Sequence, residues 1–493
     1  MTEKQLRREM FAEYGAFSAR GVESILENKD LNELTQLQML SSTLPTQHKV
    51  LARAQYQKAM LSMAGQVSSI DSSIKRERDR LNKLGLEPSI LESLKIMPAY
   101  SLGIEFTFKL ERPYLSRDDD PLHIIDNPVR KEKVFKVPYI APTTWKGSLR
   151  SAALQLLIDS MLSSLYLRKT SGSTDWRELL ETVWGKRAAW MLLYGNENRV
   201  QADFINGLLA DLLMPDVPAE SPEERGKRSA MLQQEISDHY IEFLKRKNYR
   251  AENIEGHRGS LHFFSTFFDR IGLEIINPHG REKRVGTNPI LLECVPAGAT
   301  GRFSVMYLPS AHCMEDHGAM TEAAIHDASR RRSVARDVTA LAEAILRLFT
   351  SSGFGAKTSS GYGTVEDELV EPGRLALKAD MPNWAAALPL PDGSNDLPPG
   401  VDSISDFLDT EGNLRSEEGY KTFLENDGQI FNRKRRQLYR KVRMWWESGG
   451  SDRYLRNCRR EDSGHPVLRF SKLSDLPRIA QGLTEALHQG GCR

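Results

Sequence analysis

The chain has 493 residues, a formal net charge of +1, 40% hydrophobic and 27% charged residues. That balance fits a soluble globular protein of roughly two to four domains, and it excludes a global pull toward nucleic acid, so any basic surface must be local. The four cysteines (Cys294, Cys313, Cys458, Cys492) form no CxxC pair, which argues against a zinc ribbon or a disulfide framework; with no apolar run suited to a signal peptide or membrane span, a cytoplasmic protein without a membrane partner is expected.

Residues 1–97 read as helices appended to the main fold. Leu37, Leu40 and Leu44 recur at helical spacing, and 46–84 is a long amphipathic candidate ending at Gly85. A partner-binding arm and a plain structural extension both fit. At Tyr100 the character changes. Residues 101–110 alternate as a half-buried strand, and a long polar loop, 111–142, follows. Within it Asp126-Asn127-Pro128 forms a turn carrying a carboxylate. A helix is then expected over 144–165, with Thr143 or Thr144 as N-cap and one apolar face of Leu149, Ala152, Ala153, Leu156 and Leu157. Lys146 and Arg150 are four apart and share a face. Beside a helix N-terminus they could follow a phosphate backbone, or simply be solvated.

Residues 170–256 read as a helical insertion, with helices over 176–193 and 223–247 and a solvated excursion as the default. Strands follow over 260–268, 273–276, 289–295 and 301–308. Between the second and third lies the basic loop 277–289, which holds His279, Arg281 and Arg284. His262 reads as a core histidine. A helix over 337–349 leads to Gly353-Phe-Gly-Ala-Lys-Thr-Ser-Ser-Gly-Tyr-Gly363 and a strand over 364–369. Strand, helix, strands, helix, strand is the split βαβ ferredoxin-like order.

The 353–363 loop could bring backbone N–H groups and Lys357 to a phosphate, or could be a bulge packed against a helix. It lacks the order of a Walker A loop. Residues 371–410 read as a Pro- and Gly-rich linker. Helix is expected over 420–446 within a basic C-terminal region, 411–493. From Arg433 to Arg460 eleven Lys or Arg stand against two acids, interleaved with Tyr439, Trp445, Trp446 and Tyr454. That mixture suits single-stranded nucleic acid. An acidic partner protein fits equally well.

Two of these segments carry a family resemblance. PYIAPTTWKGSLRSAA resembles a Pro-Tyr-Ile-led, Lys-Gly-containing segment of the RAMP superfamily of CRISPR-associated proteins, and GFGAKTSSGYG is similar to that superfamily's C-terminal glycine-rich loop. The resemblance covers about residues 99–370. It implies an α+β fold with a ferredoxin-like (RRM-like) RAMP core over 98–370. That domain carries the helical insertion of about 170–256, and the helical N- and C-terminal extensions lie outside it.

IDNPVRKEKVFKVPYI is similar to the crRNA-binding backbone subunits of type III effector complexes. By position, the resemblance makes Asp126 the catalytic and metal-holding residue for target-RNA cleavage, with Mg2+ or Mn2+ as cofactor. It puts Thr144, Lys146, Arg150, Gly353, Gly355, Lys357, Thr358, Ser359 and Gly361 against crRNA. Arg281 and Arg284 join them as candidate RNA contacts. The implied partners are crRNA, target RNA and other CRISPR effector subunits. Ala141-Pro142-Thr143-Thr144-Trp145 departs from the usual Pro-Gly-Ser-Ser-Leu. The basic loop looks more like subunits that cap a complex end. A non-catalytic terminal subunit and a metal-independent crRNA-processing endoribonuclease are therefore the alternatives.

Overall fold

The computed structural model describes residues 53–54, 69–118, 124–125, 127–170, 176–197, 199–214, 221–247, 258–277, 289–309, 322–379, 401, 404–409, 414–426, 430–450 and 467–489. Most of the expected N-terminal helices lie outside these residues. Helices α1 (Ser69–Lys83) and α2 (Ile90–Leu94) lead into strand β1 (Leu102–Lys109). After the polar loop come β2 (Tyr139–Ile140) and α3 (Pro142–Thr170). The insertion supplies α4 (Trp176–Tyr194), α5 (Arg199–Leu213) and α6 (Pro222–Arg246). Strands β3 (Leu261–Phe263), β4 (Thr266–Phe267), β5 (Gly272–Ile276), β6 (Ile290–Cys294) and β7 (Thr300–Tyr307) precede α7 (Glu322–Arg347) and β8 (Glu368–Leu377). The described chain ends with α8 (Glu417–Asn426), α9 (Arg433–Trp445), β9 (Val467–Lys472) and α10 (Leu476–Gln489).

The central sheet is antiparallel in the order β3-β7-β1-β8-β9. Its first four members give the ferredoxin-like plan, with α3 and α7 as the two crossover helices. The alternation of β1 decides what faces what. Leu102, Ile104, Phe106 and Phe108 enter the main core with α3 and α7. Gly103 instead faces Ile90, Leu91 and Leu94 of α2 on the opposite side. There Glu105, 2% exposed, accepts from the Ser89 hydroxyl and the Ile90 N–H and is paired with Arg302 and Arg374. Those partners satisfy a carboxylate that would otherwise be costly to bury.

Three expectations are corrected. The C-terminal region is not a separate helical appendage: β9 pairs with β8, and α10 packs on α7. A boundary at residue 370 would cut β8 in two. Second, the insertion is not a solvated excursion. Leu180, Trp184, Ile205, Leu209, Ile236 and Phe243 belong to the same core as the sheet. Arg187 is buried at their centre, bonded to Glu197 at 2.7 and 2.6 Å and to Asn206 at 2.8 Å, and stacked over Tyr240 at 4.1 Å. Third, part of the expected linker is ordered. Val401, Ile404, Phe407 and Leu408 form a small core of their own with α8 and α9. The long helix expected there is two, divided between Asn426 and the cap at Asn432.

Candidate nucleic-acid interface

Proline occupies the first position of α3, where its missing N–H costs nothing. Thr143 and Thr144 therefore lie inside the first turn and are not its N-cap. Thr144 and Lys146 are half-buried, and Trp145 between them is fully buried. The indole stacks on Phe349 at 5.4 Å and meets Phe354 at 4.8 Å, with Phe108 and Phe303 on its edges. Its Nε1–H donates to Thr266 Oγ1 at 2.9 Å, and that hydroxyl donates to the Arg302 carbonyl at 2.6 Å. The sequence departure at Trp145 is thus the peg that fixes the front of α3 to the central sheet and to the glycine-rich loop.

The loop follows a π-helical turn, Leu348–Ser352, at the end of α7. Gly353, Gly355, Gly361 and Gly363 all have positive φ, as does Lys357 at 61°. Of the two readings of these glycines, close packing within the protein is the one their surroundings show. A Cβ on Gly355 would lie 2.4 Å from the Leu115 carbonyl oxygen, and one on Gly363 2.0 Å from that of Phe354. They let the loop pack on its own protein, through bonds from Ala356 N–H to Leu115 O at 2.7 Å and from Gly363 N–H to Pro113 O at 2.9 Å. Gly361 alone faces open space. The tip, with Lys357, Ser359 and Ser360 exposed and Thr358 half-buried, is what a ligand can reach.

Lys146 and Arg150 are not equivalent. Arg150 donates to the Asn196 carbonyl at 2.5 Å and lies over the Trp190 ring at 4.7 Å. It spends much of its bonding capacity joining α3 to α4. Lys146 has no ion-pair partner among the described residues. Burial, then the charges of Arg150 and Arg258, lower its pKa. His262 is half-buried and not a core residue as expected; burial, then Arg258 and Lys146, lower its pKa too. Lys146 and exposed Arg258 thus form a cationic pair beside the His262 imidazole, with no acid paired to them among the described residues. The two repel one another, and an anion would relieve that repulsion. Sequence reading missed Arg258 because it lies just before β3, 112 positions after Lys146 in the chain.

Asp126, Arg281, Arg284 and His279 lie outside the described residues, but the flank of Asp126 is well anchored. The Glu293 N–H donates to Asn127 O at 2.9 Å. The Glu293 carboxylate accepts from the Val129 N–H at 2.9 Å and pairs with Lys131. Glu293 is 2% exposed, on β6. Across the β5–β6 hairpin, Glu274 accepts from the Tyr362 hydroxyl at 2.8 Å, which raises the Tyr362 pKa after burial. One hairpin therefore grips both the Asn127–Lys131 segment and the glycine-rich loop. The only hint in the sequence was a charged residue at an inward position of the β6 strand, Glu293.

Among the described residues no group of three or more His, Cys, Asp or Glu is arranged to hold a metal ion, and no helix is long and apolar enough to cross a membrane.

A match to the family described as the RAMP superfamily spans residues 107–366, just over half of the chain. No curated protein matches. Among solved structures, a chain from a type III-B Cmr-beta structure bound to cognate target RNA is 14% identical, with a TM-score of 0.32, covering 76% of this chain and 97% of that one. A chain from a CRISPR RNA-guided surveillance complex, pre-nicking, is 16% identical, with a TM-score of 0.28, covering 66% of this chain and 86% of that one.

Proposed function

Because the chain belongs to the RAMP superfamily, we propose that it is an RNA-binding subunit of a CRISPR effector complex. In this reading crRNA lies against the front of α3 and the tip of the 353–363 loop, and target RNA paired to it passes the Asp126 turn. The observation that carries the reading is the pair of unpaired cations Lys146 and Arg258, with the His262 imidazole beside them, at a helix front that Trp145 pegs to the glycine-rich loop. A fixed group of cations without acids recognises phosphate and is indifferent to base sequence, as a guide-binding surface must be.

The test is RNA affinity as a function of salt. Lys146→Glu combined with Arg258→Glu should weaken binding by about tenfold or more and flatten the log–log salt slope by about 1.4, two contacts' worth for a single strand. An unchanged slope would remove this surface from the RNA path.

Cleavage is the finer proposal. An RNA 2′-OH can attack its neighbouring phosphate in line when the nucleotide is held splayed, forming a 2′,3′-cyclic phosphate as the P–O5′ bond breaks; a carboxylate can accept the 2′-OH proton, and the departing 5′-oxygen takes a proton from solvent. Mg2+ or Mn2+ would be held by Asp126 together with RNA phosphate oxygens, an arrangement usual for Mg2+. Bound there, the ion would stabilise the charged transition state. Asp126→Ala should abolish target cleavage in the assembled complex and leave crRNA binding intact. Persistent cleavage would point to a non-catalytic terminal subunit. His262 beside Lys146 favours a second reading, a metal-independent ribonuclease with a neutral imidazole as base. Cleavage by the purified chain in EDTA, lost in His262→Ala, would replace the first reading with this one.

A further inference from the structure

The basic helix α9 has no role in the site above. Its sequence, RKRRQLYRKVRMW, contains no acid. The sequence suggested stacking by its aromatics, and the structure commits them to packing, Tyr439 fully and the two tryptophans in part. Tyr439 is buried, its hydroxyl donating to the Arg415 carbonyl at 2.6 Å, and Trp445 and Trp446 pack on the small core of α8 and α9.

Three of the cations are also spoken for. Arg435 is half-buried beside Tyr420, Arg436 pairs with Glu417 at 2.9 Å, and Arg443 pairs with Glu447 at 2.8 Å. Arg433, Lys434, Arg440 and Lys441 remain, all exposed and without an ion pair to any described residue. They form two adjacent pairs seven residues apart, so they recur on one face two turns, about 11 Å, along the helix.

We propose that this face of α9 is a second RNA contact, binding the phosphate backbone of an RNA duplex. It rests on the same view of RNA as ligand but on residues remote in sequence from α3 and the 353–363 loop. Two features choose the occupant. Protein interfaces are anchored by buried aromatic or aliphatic side chains, and here the aromatics serve the helix's own core, leaving Met444 as the exposed apolar group. Single-strand binding draws on fully exposed rings for stacking, and here Trp445 and Trp446 are half-buried against the small core. Bare paired charge fits the backbone of a duplex, which is recognised by shape and phosphate.

The experiment uses the full chain and two fluorescent RNAs of equal length, a blunt duplex and an unstructured single strand, titrated across a salt series. Reversing all four charges (Arg433→Glu, Lys434→Glu, Arg440→Glu, Lys441→Glu) should weaken duplex binding by about tenfold or more and flatten its salt slope by about 3.6, four contacts' worth for a duplex. Single-strand affinity should change far less. Arg433→Lys with Arg440→Lys should retain duplex binding, and unchanged thermal melting checks that the exposed substitutions leave the fold intact. Unchanged duplex binding overturns the proposal. Equal loss on both RNAs, or loss on the single strand alone, overturns the duplex assignment, and loss of a copurifying protein with RNA binding intact overturns RNA as the occupant. Lys146→Glu with Arg258→Glu, run in parallel, should leave the contribution of α9 in place, so the α3 site can fail without α9 failing.

Discussion

Replacing Trp145 with alanine is expected to destabilise the chain by about 3 to 5 kcal/mol, the usual cost of emptying an aromatic site in a packed core. The side chain is fully buried and touches four other rings, two of them (Phe349 and Phe354) from the end of α7 and the glycine-rich loop. Its removal takes away the packing that relates α3 to that loop. It also leaves the Thr266 hydroxyl without its donor. Trp145→Phe keeps a ring but loses the N–H, and should cost about 1 to 3 kcal/mol through the unmade hydrogen bond and the smaller volume. Urea unfolding of both variants measures the difference. RNA affinity should fall in the alanine variant even under conditions where it stays folded, because Lys146 and the loop tip lose their fixed spacing. Equal stability of the alanine variant and the parent would refute the peg.

Glu293→Ala should be nearly as damaging, at about 3 to 5 kcal/mol, because deleting one member of a buried pair leaves the other charge without compensation. Lys131 is 9% exposed in its side chain and Glu293 2%. The alanine also orphans the Val129 N–H. Glu293→Gln is the informative partner. Its amide oxygen can still accept from Val129 while the ion pair is lost, so it should lie between parent and alanine. If Asp126 cleaves target RNA, both variants should lower the cleavage rate more than crRNA affinity, since Glu293 holds the turn and not the α3 front. A Glu293→Ala chain that unfolds at the parent's urea midpoint would mean that the Asp126 flank is held by something else.

The legible parts of this protein were those written in short range. The strands 273–276, 289–295 and 301–308 fell within a residue or two of β5, β6 and β7, because alternation and turn residues are local signals. The glycine-rich loop announced itself by composition, and all four glycines do adopt positive φ. What they serve was not legible. Whether Gly355 makes room for a phosphate or for Leu115 O depends on a segment some 240 residues earlier in the chain. The same limit hid Arg258 from Lys146 and Glu293 from the Asp126 turn. It also made His262 look like a core residue and Arg150 like a free cation. Arg199–Leu213 was overlooked because its apolar residues border a punctuated, charge-rich stretch.

The sequence by itself determined the split βαβ order, a Lys-bearing helix front, a glycine-rich loop, and an acidic turn ahead of that helix. Each is a matter of residue types at fixed local spacing. Tertiary structure alone decided that residues 467–489 close the central sheet, that the insertion shares its core, and that the aromatics of α9 pack on a small core while four cations remain outside. Burial is a property of what packs against a residue, and for these segments the packing partner lies far away along the chain.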